Sequence, residues 1–147
     1  MGLSMSFKIN PFTGEPDYVG SISSNAQSAT KLKITRIANE QIFSQEVVRA
    51  FSSTHVSLAT GGGTLQDANV LGIADSDAAT GETVDIVLLG VSSNALFSVF
   101  TINSPLFLDL DGGITDIKRT SGYHVVVGKS LGNNEILFKS ENPITIA

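Results

Sequence analysis

From Thr54 to Ala147, apolar and polar positions come in short runs, each closed by Gly, Asn, Asp or Ser. Thr83–Leu89 (TVDIVLL), Phe97–Ile102 (FSVFTI), Pro105–Asp109 (PLFLD), Ile114–Lys118 (ITDIK), Tyr123–Gly128 (YHVVVG) and Glu135–Lys139 (EILFK) are each five to seven residues long. Gly90 with Ser92–Asn94, Asn103–Ser104, Asp111–Gly113, Ser121–Gly122 and Gly132–Asn134 separate them. Short strands at spacings of roughly 8–12 residues, with turn signals between, predict an all-β sandwich or barrel. Side chains alternate between the two faces of a strand. Val84, Ile86 and Leu88 are therefore expected to share one face, with Glu82 and Asp85 at edges or towards solvent.

Upstream, Val70–Ala74 reads as a short buried strand and Asp75–Gly81 as a polar loop. Lys31–Ile37 reads as a strand whose alternating charges mark an exposed face. Asn39–Phe51 supports two readings. In one, Asn39 caps a short helix or turn carrying Ile42, Phe43, Val47 and Phe51 on one side. In the other, Glu46–Ala50 is a strand that leads into His55–Ala59.

The first 30 residues differ in kind. They hold Pro11 and Pro16, a Ser/Asn/Ala tract from Ser21 to Thr30, and the apolar residues Phe12, Tyr18 and Val19 in a polar setting. Proline restricts the residue before it to extended backbone, which predicts an extended segment with a turn at Thr13–Glu15. Such a segment has little core of its own to bury, and is expected to be either a floppy tail or an arm that docks its aromatics on a neighbour, the arm being favoured. Residues 1–30 are read as an extended N-terminal anchoring arm, with Pro11, Phe12, Tyr18 and Val19 as partner-binding residues. Residues 31–147 are read as a small antiparallel β-barrel or sandwich. Leu106, Phe107, Val99 and Phe100 are expected in its core, and the Phe43–Phe51 region on its contact surface.

Composition sharpens this picture. The chain has no Cys, so disulfides and thiolate chemistry are excluded, and it has no Trp. Net charge is −5 and charged residues make up 16%, against about 25% in an average domain. A weakly charged surface suits a protein covered by partners or by copies of itself. The acidic balance argues against nucleic acid, which needs clustered Lys and Arg. No apolar run approaches the roughly 18 residues of a membrane helix, and residues 1–10 lack the apolar stretch of a signal peptide.

Candidate chemistry is thin. Gly128-Lys129-Ser130 matches the end of a phosphate-binding loop, but Tyr123 stands where the pattern needs its first Gly, and turn residues follow instead of a helix. Asp109-Leu110-Asp111-Gly112-Gly113 has the spaced carboxylates of a calcium loop without the closing Glu, and reads first as a hairpin turn. Asp75-Ser76-Asp77 is a weaker version of the same. His55 and His124 are the two histidines, each expected on the outer face of its strand with no ligand pair beside it. No nucleophile elbow is present. An all-β domain of this kind works through its surface, so a non-enzymatic interaction protein without cofactor or metal is expected. A carbohydrate-binding module is disfavoured by the lack of Trp and scarcity of surface aromatics.

Two stretches carry a resemblance. Asn10-Pro11-Phe12-Thr13-Gly14 followed by Asp17-Tyr18-Val19 resembles the N-terminal segment of many bacteriophage virion proteins, fibre-type proteins among them. From Leu71 to Ile146 the order runs Leu71–Ala74, Ala78–Val84, Leu89–Val91, Ser104–Leu108, Gly112–Thr115, Gly122-Tyr123, Val127–Leu131, Pro143-Ile144. That order is similar to a small β-barrel module of phage capsid decoration (cement) proteins, which also recurs in tail-associated proteins. The resemblance implies a virion location after assembly in the host cytoplasm. It implies partners in the major capsid protein or other virion proteins, and no catalytic residues or cofactor. A homotrimer is expected, since symmetric clusters match the lattice or tail they join. The longer N-terminus leaves capsid decoration and tail, baseplate or fibre attachment both open.

Overall fold

A computed structural model describes residues 31–146. The expected arm, with Pro11, Phe12, Tyr18 and Val19, lies outside the described residues. In chain order the strands are β1 (Lys31–Ala38), β2 (Val47–Ala50), β3 (His55–Leu58), β4 (Val70–Ala74), β5 (Thr83–Ser93) and β6 (Pro105–Leu108). They continue with β7 (Ile114–Thr115), β8 (Gly122–His124), β9 (Val126–Gly132), β10 (Glu135–Phe138) and β11 (Ile144–Ile146), and one 3₁₀ turn, η1 (Ala95–Val99), follows β5.

Five strands close a barrel in the order β1-β3-β2-β4-β5-β1. β5 pairs antiparallel with β1 from Thr83↔Ile37 to Gly90↔Lys31, and with β4 through Ile86↔Ala74 and Val87↔Ile73. β4 pairs with β2 and β2 with β3, both antiparallel. The closing seam is parallel, and joins β1 to β3 through only two residue pairs, Ile37↔His55 and Ala38↔Val56. Ile86 and Val87 each face β1 and β4, so these strands flank opposite edges of β5. Beyond Val87, β10 takes the place of β4 along β5, and β9, β6 and β7 extend the sheet away from the barrel.

This fork gives the domain two cores. The barrel interior is filled by Ala38, Ile42, Val48, Val56, Ala74, Ala78, Val84 and Ile86, with Ile34, Leu58, Leu71 and Leu88 packed against them. The second core lies on the other face of the same barrel strands. Val47, Ile73 and Val87 meet Phe97, Leu106, Leu108, Val125, Val127, Ile136 and Phe138 there. Val47-Val48, Ile73-Ala74 and Ile86-Val87 are thus pairs of neighbours buried on opposite faces. That is why these strands read as continuous apolar runs.

Several expectations are corrected. Asn39–Phe51 contains no helix: Ile42 bridges to Ala78, a turn follows, and β2 takes Val47–Ala50. The apolar residues expected to share a helical face are divided, with Ile42 in one core, Val47 in the other and Phe43 and Phe51 exposed. Phe97–Ile102 is not a strand. Asn94 caps it by accepting a hydrogen bond from the Leu96 amide, and the chain turns as η1 with only Phe97 buried. Val99, expected in the core, is 75% exposed, and Phe100 is only partly buried beside Phe97. Leu106 is fully buried, but in the outer core rather than inside the barrel.

Ile114–Lys118 shortens to the two residues of β7. Tyr123–Gly128 divides at the buried Val125, with β8 on one side pairing with β11, and β9 on the other pairing with β10 and β6. β5 runs through Gly90 to Ser93, four residues past its expected end. Val84, Ile86 and Leu88 do share the face towards the barrel interior, and Glu82 and Asp85 are exposed.

Candidate functional site

Surface features are the candidates, and each has a local origin in the sequence. The first surrounds η1. The Asn94 cap starts a tight turn in which Phe97 points inward, which leaves Leu96 and Val99 outward at 70% and 75% exposure. Beside them the turn before β2 is held by two short bonds: the Ser44 amide donates to Asp77 Oδ1 and the Phe43 amide to Glu46 Oε1, both at 2.7 Å. Gln45 adopts a left-handed backbone there, φ 77°, and its amide donates to the Ala74 carbonyl. Between the two turns lies a cleft of about 190 Å³ lined by Ser44–Glu46, Leu96, Phe97, Phe100, Gly113 and Ile114. Small-molecule sites run to about 300–1,000 Å³, so this depression suits a single protruding side chain better than a metabolite.

The second feature is the start of β1. Lys31 and Lys33 both donate to Asp75, at 3.1 and 3.2 Å, and so tie β1 to the loop after β4. Burial by itself raises the Asp75 carboxyl. The hydrogen bonds from the two lysines outweigh it and leave the group below its ordinary value. On the same strand Leu32 stands opposite Leu89, and both are exposed. The register shifts between Leu32 and Lys33, where β5 carries Leu88 as an extra residue between Val87 and Leu89.

A third feature lies along β2. Arg49 pairs with Asp67 at 3.1 Å and sits over the exposed Phe51 ring at 5.8 Å. The Thr64 amide and then the Thr64 hydroxyl, with Arg49 adding its charge, hold Asp67 below the usual carboxylate range.

The residues singled out for chemistry are dispersed. Gly128-Lys129-Ser130 lies within β9, where a side chain at Gly128 would collide with the Leu137 carbonyl of β10. Close strand approach explains that glycine. Ser130 is buried, and its hydroxyl accepts from the Gly132 amide. Asp109 closes a turn by donating its amide to the Gly113 carbonyl, and Gly112, at φ 90°, accepts from the Val47 amide. His55 contacts the Thr54 hydroxyl at 2.8 Å, while His124 packs on the Phe107 ring at 4.8 Å and is half-buried. Among the described residues no three His, Asp or Glu side chains gather in a metal-binding arrangement. The η1 patch went unread in the sequence because Phe97–Ile102 alternates like a strand. Asn94 was the signal that it does not extend as one.

No protein-family model matches the chain, and neither does any curated protein.

Proposed function

We propose that this chain is a non-enzymatic structural protein of a bacteriophage virion. It acts as a capsid decoration protein that binds the head lattice as a trimer and holds neighbouring capsomers together through buried surface. The order of short segments from Leu71 to Ile146 carries this reading. Those segments are the strand starts and turns of the fold: Gly81–Val84 enters β5, Pro105–Leu108 is β6, Gly112–Thr115 turns into β7, and Val127–Leu131 lies in β9. Exposed Phe43, Leu96, Val99 and Ile117 on a weakly charged domain fit a protein that works by covering and being covered. Phe12 and Tyr18 are the anchors of the arm, with Pro11 and Val19 beside them.

A second reading, a tail, baseplate or fibre-attachment protein, is favoured by the Asn10–Gly14 and Asp17–Val19 segment, which resembles that of fibre-type proteins. Counting copies in purified particles by quantitative electrophoresis, together with a low-resolution map, separates the two. Hundreds of copies mean head; a few dozen, in multiples of three or six, mean tail. Absence from particles overturns both. Deleting residues 5–19 is expected to leave the β domain folded by circular dichroism and to abolish incorporation.

A further inference from the structure

The barrel closes along only part of β1. β3 reaches Ile37 and Ala38, and no described strand pairs with residues 31–36 on that side. The Ala38 amide donates to Glu82 O, next to β5, and the Ile37 amide to Thr54 O, on the opposite side. Backbone groups alternate along a strand, so Lys33 and Thr35 turn their N–H and C=O groups outward. Arg36 reaches back and donates to the Thr35 carbonyl at 2.9 Å, a charged side chain placed on an open edge. A cleft of about 210 Å³ lies alongside, between Thr35–Ile37 and Ser53–Thr54.

We infer that this edge accepts residues 15–19 of a second copy as an added strand, so that copies join head to tail. Three observations select that occupant. Lys31, Lys33 and Arg36 make the edge basic, and only Asp75 is paired with the two lysines. A second β1 in the same position would set like charges opposite one another, which disfavours self-pairing. Between Lys8 and Lys31, in contrast, the chain carries no basic residue, and its only acids are Glu15 and Asp17.

The proline spacing fits as well. With Asp17 and Val19 turned towards Lys33 and Thr35, Pro16 and Tyr18 turn their nitrogens away, and the missing Pro16 N–H removes no ladder bond. Exposed Leu32 lies on β1 itself, with exposed Leu89 opposite it on β5, to receive an aromatic ring. The eleven residues from Gly20 to Thr30 span up to roughly 36–40 Å when extended, enough to reach a neighbouring domain. Head-to-tail contacts of this kind close into rings where the rotation between copies closes and run on as filaments where it does not; this inference rests on the self-assembly part of the reading above.

The test is sedimentation velocity on the full chain, with hydrogen exchange at Lys33 and Thr35. Association is expected, with protection of those two amides rising with protein concentration. Thr35→Pro removes an outward N–H without touching the β1–β5 ladder, and should leave a folded monomer. Lys33→Glu and Asp17→Lys should each weaken association roughly fivefold, and the two together should restore it, since opposite charges again face each other. The charge swap decides the matter should Thr35→Pro fail to fold. Association that ignores both Thr35→Pro and the swap overturns this strand addition and leaves self-assembly standing. A chain monomeric at high concentration, or protection independent of concentration, overturns the added strand between copies; the former overturns self-assembly with it.

Discussion

Val47 and Val48 are adjacent in β2, and both are fully buried, one in each core. A barrel strand with a solvated outer face would bury only one of them. Replacing either by Ala removes two methyl groups, worth about 0.8 kcal/mol per buried carbon, or about 1.6 kcal/mol of lost transfer energy. The vacated space adds a cavity cost of about 24 cal/mol per Å³, about 1 kcal/mol for a void of roughly 40 Å³ if the walls do not relax. Each variant is therefore expected to lose about 2–3 kcal/mol. Urea unfolding followed by circular dichroism measures this, with the m-value unchanged if only stability moves. The informative result is the comparison. A Val48→Ala loss of this size beside a Val47→Ala loss under about 0.5 kcal/mol would mean that the outer face of β2 is effectively at the surface. The second core would then not be a core.

Two further outcomes follow from the geometry. The folded Asp75 carboxyl lies below its unfolded value, so its contribution is complete above that value and is lost as pH falls through the folded one. Thermal melts should show an acid limb below about pH 5 that flattens in Asp75→Asn; an unchanged limb would remove the Lys31–Asp75–Lys33 clamp from the stability account. Gly128→Ala places a methyl against the Leu137 carbonyl across the β9–β10 pair, and should cost at least about 2 kcal/mol. A melting temperature equal to that of the parent would show that these strands separate freely.

The strands that sequence located well are bounded by local chemistry. β4 and β6 are short apolar runs that end at Asp75 and Asp109, and β10 starts directly after the left-handed Asn133-Asn134 turn, so nothing distant is needed to bound them there. The same holds for the inward face of β5, where Val84 and Ile86 alternate with Thr83 and Asp85. Errors arose where two conformations share one pattern. Ser98 and Val99 fit an alternating strand as readily as a capped 3₁₀ turn, and the Asn94 side chain decides between them. Val47, with Ile42, Phe43 and Phe51, fits a helical face until β4 arrives on one side of β2 and β3 on the other.

Sequence by itself determined that this is an all-β chain with a compositionally distinct first 30 residues, no thiol chemistry and a lightly charged surface. Those are properties of residue type and short-range spacing. Tertiary structure alone decided that β1 returns to β5 and meets β3 in parallel, that the barrel wall carries a second core outside it, and that no described strand pairs with the β1 edge at Lys33 and Thr35. The reason is the range of the interactions. A turn is settled by four neighbouring residues, whereas Lys31 meets Gly90, and Val47 meets Ile73, only after long loops have closed. Which face of a strand is dry depends on what those closures bring against it.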